Sequence, residues 1–219
     1  MAAFHFPRWT NHFFYLIPAG ALGGAVYAVV FVWFGLSPKT LAVGYAPEQP
    51  VPFSHALHAG ELGLDCRYCH NTVEEAAHAA VPPAATCANC HDPEKGIHAD
   101  SPNLKPVHDS YTTGEPVKWV RVHDLGDYAY FDHSAHVNRG IGCSSCHGRI
   151  DQMEAVTQTE PLSMGWCLEC HRNPTPHLRP RSEITNMAWE ITEEGYQGDD
   201  LFYDHDEILG RETCSTCHR

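Results

Sequence analysis

The pattern C-x-x-C-H occurs five times, at Cys66/Cys69/His70, Cys87/Cys90/His91, Cys143/Cys146/His147, Cys167/Cys170/His171 and Cys214/Cys217/His218, and uses all ten cysteines. Two thiols at this spacing can add across the two vinyl groups of one haem, and the next residue then lies under the iron as its proximal imidazole. Competing chemistries fail on the arithmetic. Zinc ribbons use two C-x-x-C knuckles per metal, so five knuckles leave one over, and an all-thiolate zinc site has no use for a histidine after each pair. A redox C-x-x-C needs a single active pair. The ten cysteines are therefore read as the tethers of five covalently attached c-type haems, with His70, His91, His147, His171 and His218 as proximal ligands.

Each iron so held needs a sixth ligand. Two F-x-H-x-x-H boxes stand just ahead of haem motifs: Phe53, His55 and His58 before Cys66, and Phe131, His133 and His136 before Cys143. Histidines at i and i+3 share one face of a short helix. One can cap a nearby iron while the other reaches a second, so all four are expected as distal ligands. Which box serves which iron stays open at this level. For the fifth vacancy His123 is the first choice, with His108, His177 and His205 behind it. Met153 and Met164 compete, since a thioether ligand would raise one haem's potential above its bis-histidine neighbours. Packing against a porphyrin edge is the plainer role for both methionines. His78 and His98 read as solvent-facing or propionate-contacting residues.

The motifs also repeat in a larger unit. Residues 53–91 hold one histidine box and two haem motifs 21 residues apart, and residues 131–171 hold another with motifs 24 apart. The expected organisation is a dihaem module at 53–91, a connector at 92–130, a dihaem module at 131–171 and a tail at 172–219 carrying the fifth haem. Long periodic apolar segments are missing from this region, and Gly, Pro, His and Asp are spread throughout. Five porphyrins would supply the hydrophobic mass, wrapped by short helices and loops. The fold class is thus mainly α and irregular.

Ahead of this region, residues 13–37 contain no Asp, Glu, Lys or Arg over 25 positions, enough for a helix to cross a hydrocarbon core of roughly 30 Å. A cleaved secretory signal would have a shorter apolar region ending in a small-residue cleavage site, whereas Phe31-Val32-Trp33-Phe34 lies at the far end. The expectation is an uncleaved transmembrane anchor at 13–37, after a short cytoplasmic segment at 1–12 and before a proline-bearing linker at 38–52. Arg8 favours an inside N-terminus weakly, because Lys39 flanks the other end. Covalent haem attachment on the outer membrane face sets the orientation, putting His5 and His12 on the wrong side to reach a haem. Gly20 and Gly24, flanked by Ala21 and Gly23, make a small-residue face where another helix can approach.

The formal net charge of −13 argues against nucleic acid and against adsorption to anionic lipid through a basic patch. A solvated acidic surface, with Glu193-Glu194 and Asp199-Asp200, suffices to explain it, and a docking face for a cationic redox partner is the sharper reading.

The phrases PFSHALHAGELGLDCRYCH, WVRVHDLGDYAYFDHSAHVNRGIGCSSCHGRIDQM and PLSMGWCLECHR, behind an N-terminal anchor, resemble the pentahaem cytochrome c subunit of alternative complex III, a bacterial membrane quinol oxidoreductase. The resemblance implies a single-pass protein of the bacterial inner membrane with its haem domain on the periplasmic side. It implies electrons arriving from an iron–sulfur protein or the quinol-oxidising site and leaving towards a monohaem cytochrome c, a soluble carrier or a terminal oxidase. It also implies that the anchor packs with polytopic quinol-binding subunits. Two other classes fit a membrane-tethered multihaem chain: a quinol dehydrogenase that oxidises quinol directly and feeds a periplasmic reductase, and a reductase of a small oxyanion. The reductase would need an open coordination position, and surplus histidine without any C-x-x-C-K variant favours an electron wire with no catalytic residue of its own.

Overall fold

The computed structural model describes residues 5–36, 42–190 and 211–218. The backbone divides into two units, Met1–Ala42 and Val43–Arg219. In the first, a 3-10 turn at Arg8–His12 leads into helix α1, Phe13–Val30, which ends in a π-helical turn at Phe31–Gly35. The stretch Arg8–Gly35 is long and apolar enough to cross a membrane. Its large side chains, Phe14, Tyr15 and Leu22 among them, are exposed within this chain. A Cβ added at Gly20, Gly23 or Gly24 would meet nothing within 4 Å, so this side of α1 is open.

The second unit is built from short turns. In order they are α2, a π-helical turn at Ala56–Glu61, then α3 at Cys66–Cys69, α4 at Ala84–Ala88, α5 at Lys105–Thr113, α6 at His133–Val137, α7 at Ser144–His147, α8 at Met164–Arg172 and α9 at Cys214–Cys217. Among the described residues there is no β-strand, and Ile141 and Leu178 form an isolated antiparallel bridge. Local chemistry sets the helix starts. Asp65, Asp132 and Ser163 each accept a backbone N–H of the following turn, at Arg67, Ala135 and Trp166. Gly114 ends α5 with φ 78°, the left-handed position that glycine tolerates.

Aliphatic core is scarce, as expected for a chain that wraps porphyrins. Among the described residues the buried apolar set is Val51, Val107, Val137, Leu178, Ile184 and Met187. Three of the six lie at 178–187, next to what reads in sequence as a polar stretch. The reason is tertiary: this segment turns back onto the second histidine box and third haem motif. Arg179 N–H donates to Gly140 O at 2.9 Å and Cys143 N–H to Ile184 O at 3.2 Å, which draws Leu178 and Ile184 inward.

The two repeats are stitched together by backbone bonds. His133 N–H donates to Ala77 O at 3.1 Å and Ser134 N–H to Ala76 O at 3.3 Å. Asn138 Nδ2 donates to Glu74 O at 2.8 Å, and Thr185 Oγ1 donates to Asp65 Oδ2 at 3.0 Å. On the other side Ala56 N–H donates to Met153 O at 3.0 Å, where α2 packs on the turn at Ile150–Gln152. A Cβ on Gly60 would run into Asp151 O there.

Candidate functional site

The C-x-x-C-H motifs are wound into helical turns, the fourth inside the nine-residue α8. The histidine N–H returns to the carbonyl of the first cysteine at 2.8 Å for His70, His91 and His218 and at 3.0 Å for His147. Residues i and i+3 thereby share a side, and the i+4 imidazole follows them. The proximal rings are then aimed by a second contact. Nδ1 lies 2.7 Å from Ala80 O in His70, 2.8 Å from Ile97 O in His91, 3.1 Å from Arg211 O in His171 and 2.9 Å from Tyr128 O in His218. An Nδ1–H donated to a carbonyl fixes the tautomer and leaves Nε2 with its lone pair free for a metal.

The histidine boxes show the same device twice. His58 Nδ1 lies 2.8 Å from Ser54 O, and His136 Nδ1 lies 2.7 Å from Asp132 O, each one turn back. Phe53 stacks on His58 at 4.4 Å and meets His55 edge-on at 4.8 Å. Phe131 does the same to His136 at 4.5 Å and to His133 at 4.8 Å. The phenylalanine that opens each box is therefore the wall that sets both imidazoles. Ser54 Oγ, accepting Leu57 N–H at 3.0 Å, plays the part in the first box that Asp132 plays in the second. The sequence marks the phenylalanines by position, but their contact with both rings is visible only in three dimensions.

Box and motif histidines face each other in pairs. Ring centroids are 6.2 Å apart for His58 and His91, 6.1 Å for His136 and His171, and 6.4 Å for His133 and His147. Two metal–nitrogen bonds of about 2 Å plus two imidazole half-widths of about 1.2 Å put trans ligands of one iron about 6.4 Å apart. The donor sets thus fit a haem iron between each pair. His55 is driven down to about pKa 4, by burial first and then by His70 and His58. His147 is also lowered, to about 3, by burial first and then by His123, His133, His70 and His55. Buried neutral imidazoles are the form that binds metal. Among the described residues no three His, Cys, Asp or Glu side chains converge on one point as a zinc knuckle requires.

His123, the first choice for the fifth vacancy, lies beside the third motif. Its ring lies 4.4 Å from that of His147, edge-on, which is too close for an iron between them. Its Nε2 is buried without a hydrogen-bond partner, as is His55 Nδ1. Burial, then His133, lowers its basicity. At the fifth motif the ring near His218 is Tyr128, 5.9 Å away. Met153 is half-buried, its carbonyl holding Ala56, and Met164 is 65% exposed at the start of α8. His108 Nε2 lies 3.1 Å from His91 O, beside the second motif. His177 is half-buried, His78 and His98 are exposed, and His205 lies outside the described residues, as do Glu193-Glu194 and Asp199-Asp200.

Burial pushes up the thiols of Cys69, Cys87, Cys146, Cys167 and Cys170, that of Cys146 to about 12. The last motif is fastened by two contacts: Arg172 pairs with Glu212 at 3.0 Å, and Tyr130 N–H donates to Cys217 O at 2.8 Å.

Helix α4 packs on α5, and the loop that follows the second motif returns to it, where Ile97 N–H donates to Cys90 O at 2.7 Å.

Arg179 is a residue the sequence alone does not single out. It is 2% exposed, its guanidinium lies 5.0 Å from the Trp189 ring, and burial lowers its pKa. Nη2 donates to Ser144 Oγ at 3.1 Å, inside the third C-x-x-C. Its partners are brought from 35 residues away, so no local signal marks it.

Turns of this kind, with opposed imidazoles and little aliphatic core, define a multihaem cytochrome c, a protein of electron transfer. The chain belongs to the family described as cytochrome c7 and related cytochrome c, whose model matches residues 51–109 and 129–219. It is also 35% identical over 171 residues to the menaquinone reductase, multiheme cytochrome c subunit of Nitratidesulfovibrio vulgaris, covering 68% of this chain and 79% of that protein.

Proposed function

We propose that the chain is the membrane-anchored pentahaem electron-transfer subunit of a quinol oxidoreductase of the alternative complex III kind. The observation that carries this reading is the set of opposed imidazoles, His58 with His91 at 6.2 Å, His136 with His171 at 6.1 Å and His133 with His147 at 6.4 Å, in two repeats joined by the backbone bonds of His133 and Ser134 to Ala77 and Ala76. When bound, each haem supplies a one-electron carrier whose potential follows its axial ligands, burial and nearby charge.

The chain's own residues do the placing. Cysteines tether the rings. His55 and His70, His58 and His91, His133 and His147, and His136 and His171 are assigned as axial pairs, each box serving both motifs of its own repeat. His218 awaits a partner, with His123, His177, His205, Met153 and Met164 as the candidates. At the four paired sites two imidazoles leave no position for a small oxyanion, which favours a wire over a reductase there.

Residues 13–37 serve as the anchor, 38–52 as the linker, and 53–219 as the haem domain on the periplasmic side of the bacterial inner membrane. The open glycine side of α1 suits a polytopic partner. An iron–sulfur protein and a monohaem cytochrome c are the further partners. A second reading is favoured by the similarity to a menaquinone reductase subunit: electrons would then run towards quinone instead of away from it. The test is to isolate the native membrane assembly, weigh this subunit and identify what co-purifies. Five haem additions and quinol-driven reduction of the haems support the reading. Free thiols, or haem reduction by a periplasmic donor only, refute it or reverse its direction respectively.

A further inference from the structure

Three arginines beside haem turns share one environment. Arg67 pairs with Asp65 at 2.9 Å and Glu74 at 3.3 Å, Arg149 with Asp151 at 2.7 Å, and Arg172 with Glu212 at 3.0 Å, all with guanidinium groups substantially exposed. Their charge is paired directly and screened by water. Arg179 is buried and makes no direct ion pair among the described residues. Its hydrogen-bond acceptors are neutral: Asn186 O at 3.1 Å, Glu183 O at 3.5 Å and Ser144 Oγ at 3.1 Å, while Nε is buried with no acceptor. The Glu183 carboxylate is the nearby counter-charge, held by Asn186 Nδ2 at 2.7 Å and not by the guanidinium.

The site is built around this charge. Gly142, the residue before Cys143, has no Cβ where one would overlap the guanidinium. Backbone bonds at Gly140 and Cys143 hold the 179–184 segment against the third motif. Burying a cation that has no direct ion pair is unfavourable unless something nearby gains from it. Adding an electron to a haem makes the site more negative, and a fixed positive charge in a poorly screened interior stabilises that reduced form.

We infer that Arg179 is a potential-setting residue: its buried guanidinium raises the reduction potential at the third attachment site, Cys143–Cys146–His147, where the two repeats meet. Electrons crossing from the first repeat, whose Asp65 next to Cys66 is hydrogen-bonded to Thr185 of the Arg179 segment at 3.0 Å, arrive there, so the charge makes the junction an acceptor. This rests on the haem reading above, and its test separates the two.

Redox titration followed by low-temperature electron paramagnetic resonance distinguishes the third site from the second and fourth, because the His133 and His147 rings are nearly parallel, at 11°, whereas the His58–His91 and His136–His171 rings stand at 59° and 62°. In Arg179→Gln carrying all five haems, the reduced-to-oxidised ratio at that site falls about tenfold at a fixed potential, ~59 mV for one electron. Arg179→Lys, which keeps the charge and loses the fork, restores most of it. A fully loaded Arg179→Gln with an unmoved third site overturns the inference and leaves Arg179 a backbone clamp. So does Arg179→Lys falling as far as Arg179→Gln. Should Arg179→Gln fail to load, the wild-type protein decides. Raising salt screens exposed charges and leaves a buried one in force, so the third potential moves less than the others, and an equal shift overturns the inference. Wild-type protein without five haems refutes the haem reading itself.

Discussion

Replacing His136 by alanine tests the ligand pairing most directly. The spacing of 6.1 Å between His136 and His171 assigns this imidazole to the fourth site, although in sequence it stands just ahead of the third motif. His133, three residues earlier, faces His147 at 6.4 Å. The predicted outcome of His136→Ala is that one haem of the five C-x-x-C-H turns loses its sixth ligand, so a fifth of the low-spin intensity converts to high-spin. The angle between ring planes says which fifth. Nearly parallel imidazoles split the two iron d orbitals of π symmetry and give a rhombic spectrum, while strongly crossed ones leave them close in energy and give one large, broad g value. His136→Ala should therefore remove a broad signal of the 62° type and spare the rhombic one. His133→Ala should do the reverse, removing the signal of the 11° pair. Electron paramagnetic resonance of the oxidised protein, with haem content measured by mass, reads both. Loss of the rhombic signal in His136→Ala would refute the crossed pairing, and an unchanged low-spin spectrum would remove His136 as a ligand.

Leu178→Ala, at 1% exposure, should cost about 2–5 kcal/mol of unfolding free energy by chemical denaturation, and a loss under about 1 would show that porphyrins carry the local packing instead. Gly142→Ala forces Arg179 aside and should lower stability by about 1–3 kcal/mol, with wild-type stability counting against the described approach. Asp65 is held down to about 2, first by the Arg67 side-chain hydrogen bond. Its contribution is therefore present above the ordinary carboxylate value of 3.8 and is lost as pH falls through about 2. In Asp65→Asn, which keeps the helix cap, the fall in melting temperature between those values should flatten, and an unaltered slope would exclude Asp65 as its source. Phe131→Ala removes the wall shared by His133 and His136, so both the rhombic signal and one broad signal should shift together; a change in only one would show that the rings are set separately.

Covalent haem chemistry could be read from residue order alone because it is local: two thiols and an imidazole within five residues close one turn wherever the chain goes. The F-x-H-x-x-H boxes were legible for the same reason, and so was the apolar run that becomes α1. The destination of each box histidine was not, since it depends on how α6 is laid against α7 and α8. His123 shows the limit: nothing in its local sequence says that its ring will stand edge-on to that of His147 at 4.4 Å. Arg179 shows it again: a basic residue in a polar stretch gives no sign that Gly142, Ser144 and Trp189 will close over it. Sequence thus determined how many haem turns there are and what they are made of, through contacts only a few bonds long. Tertiary structure alone decided which turns touch, which imidazoles oppose each other and where a charge is left unscreened, because those depend on distances through space between residues far apart along the chain.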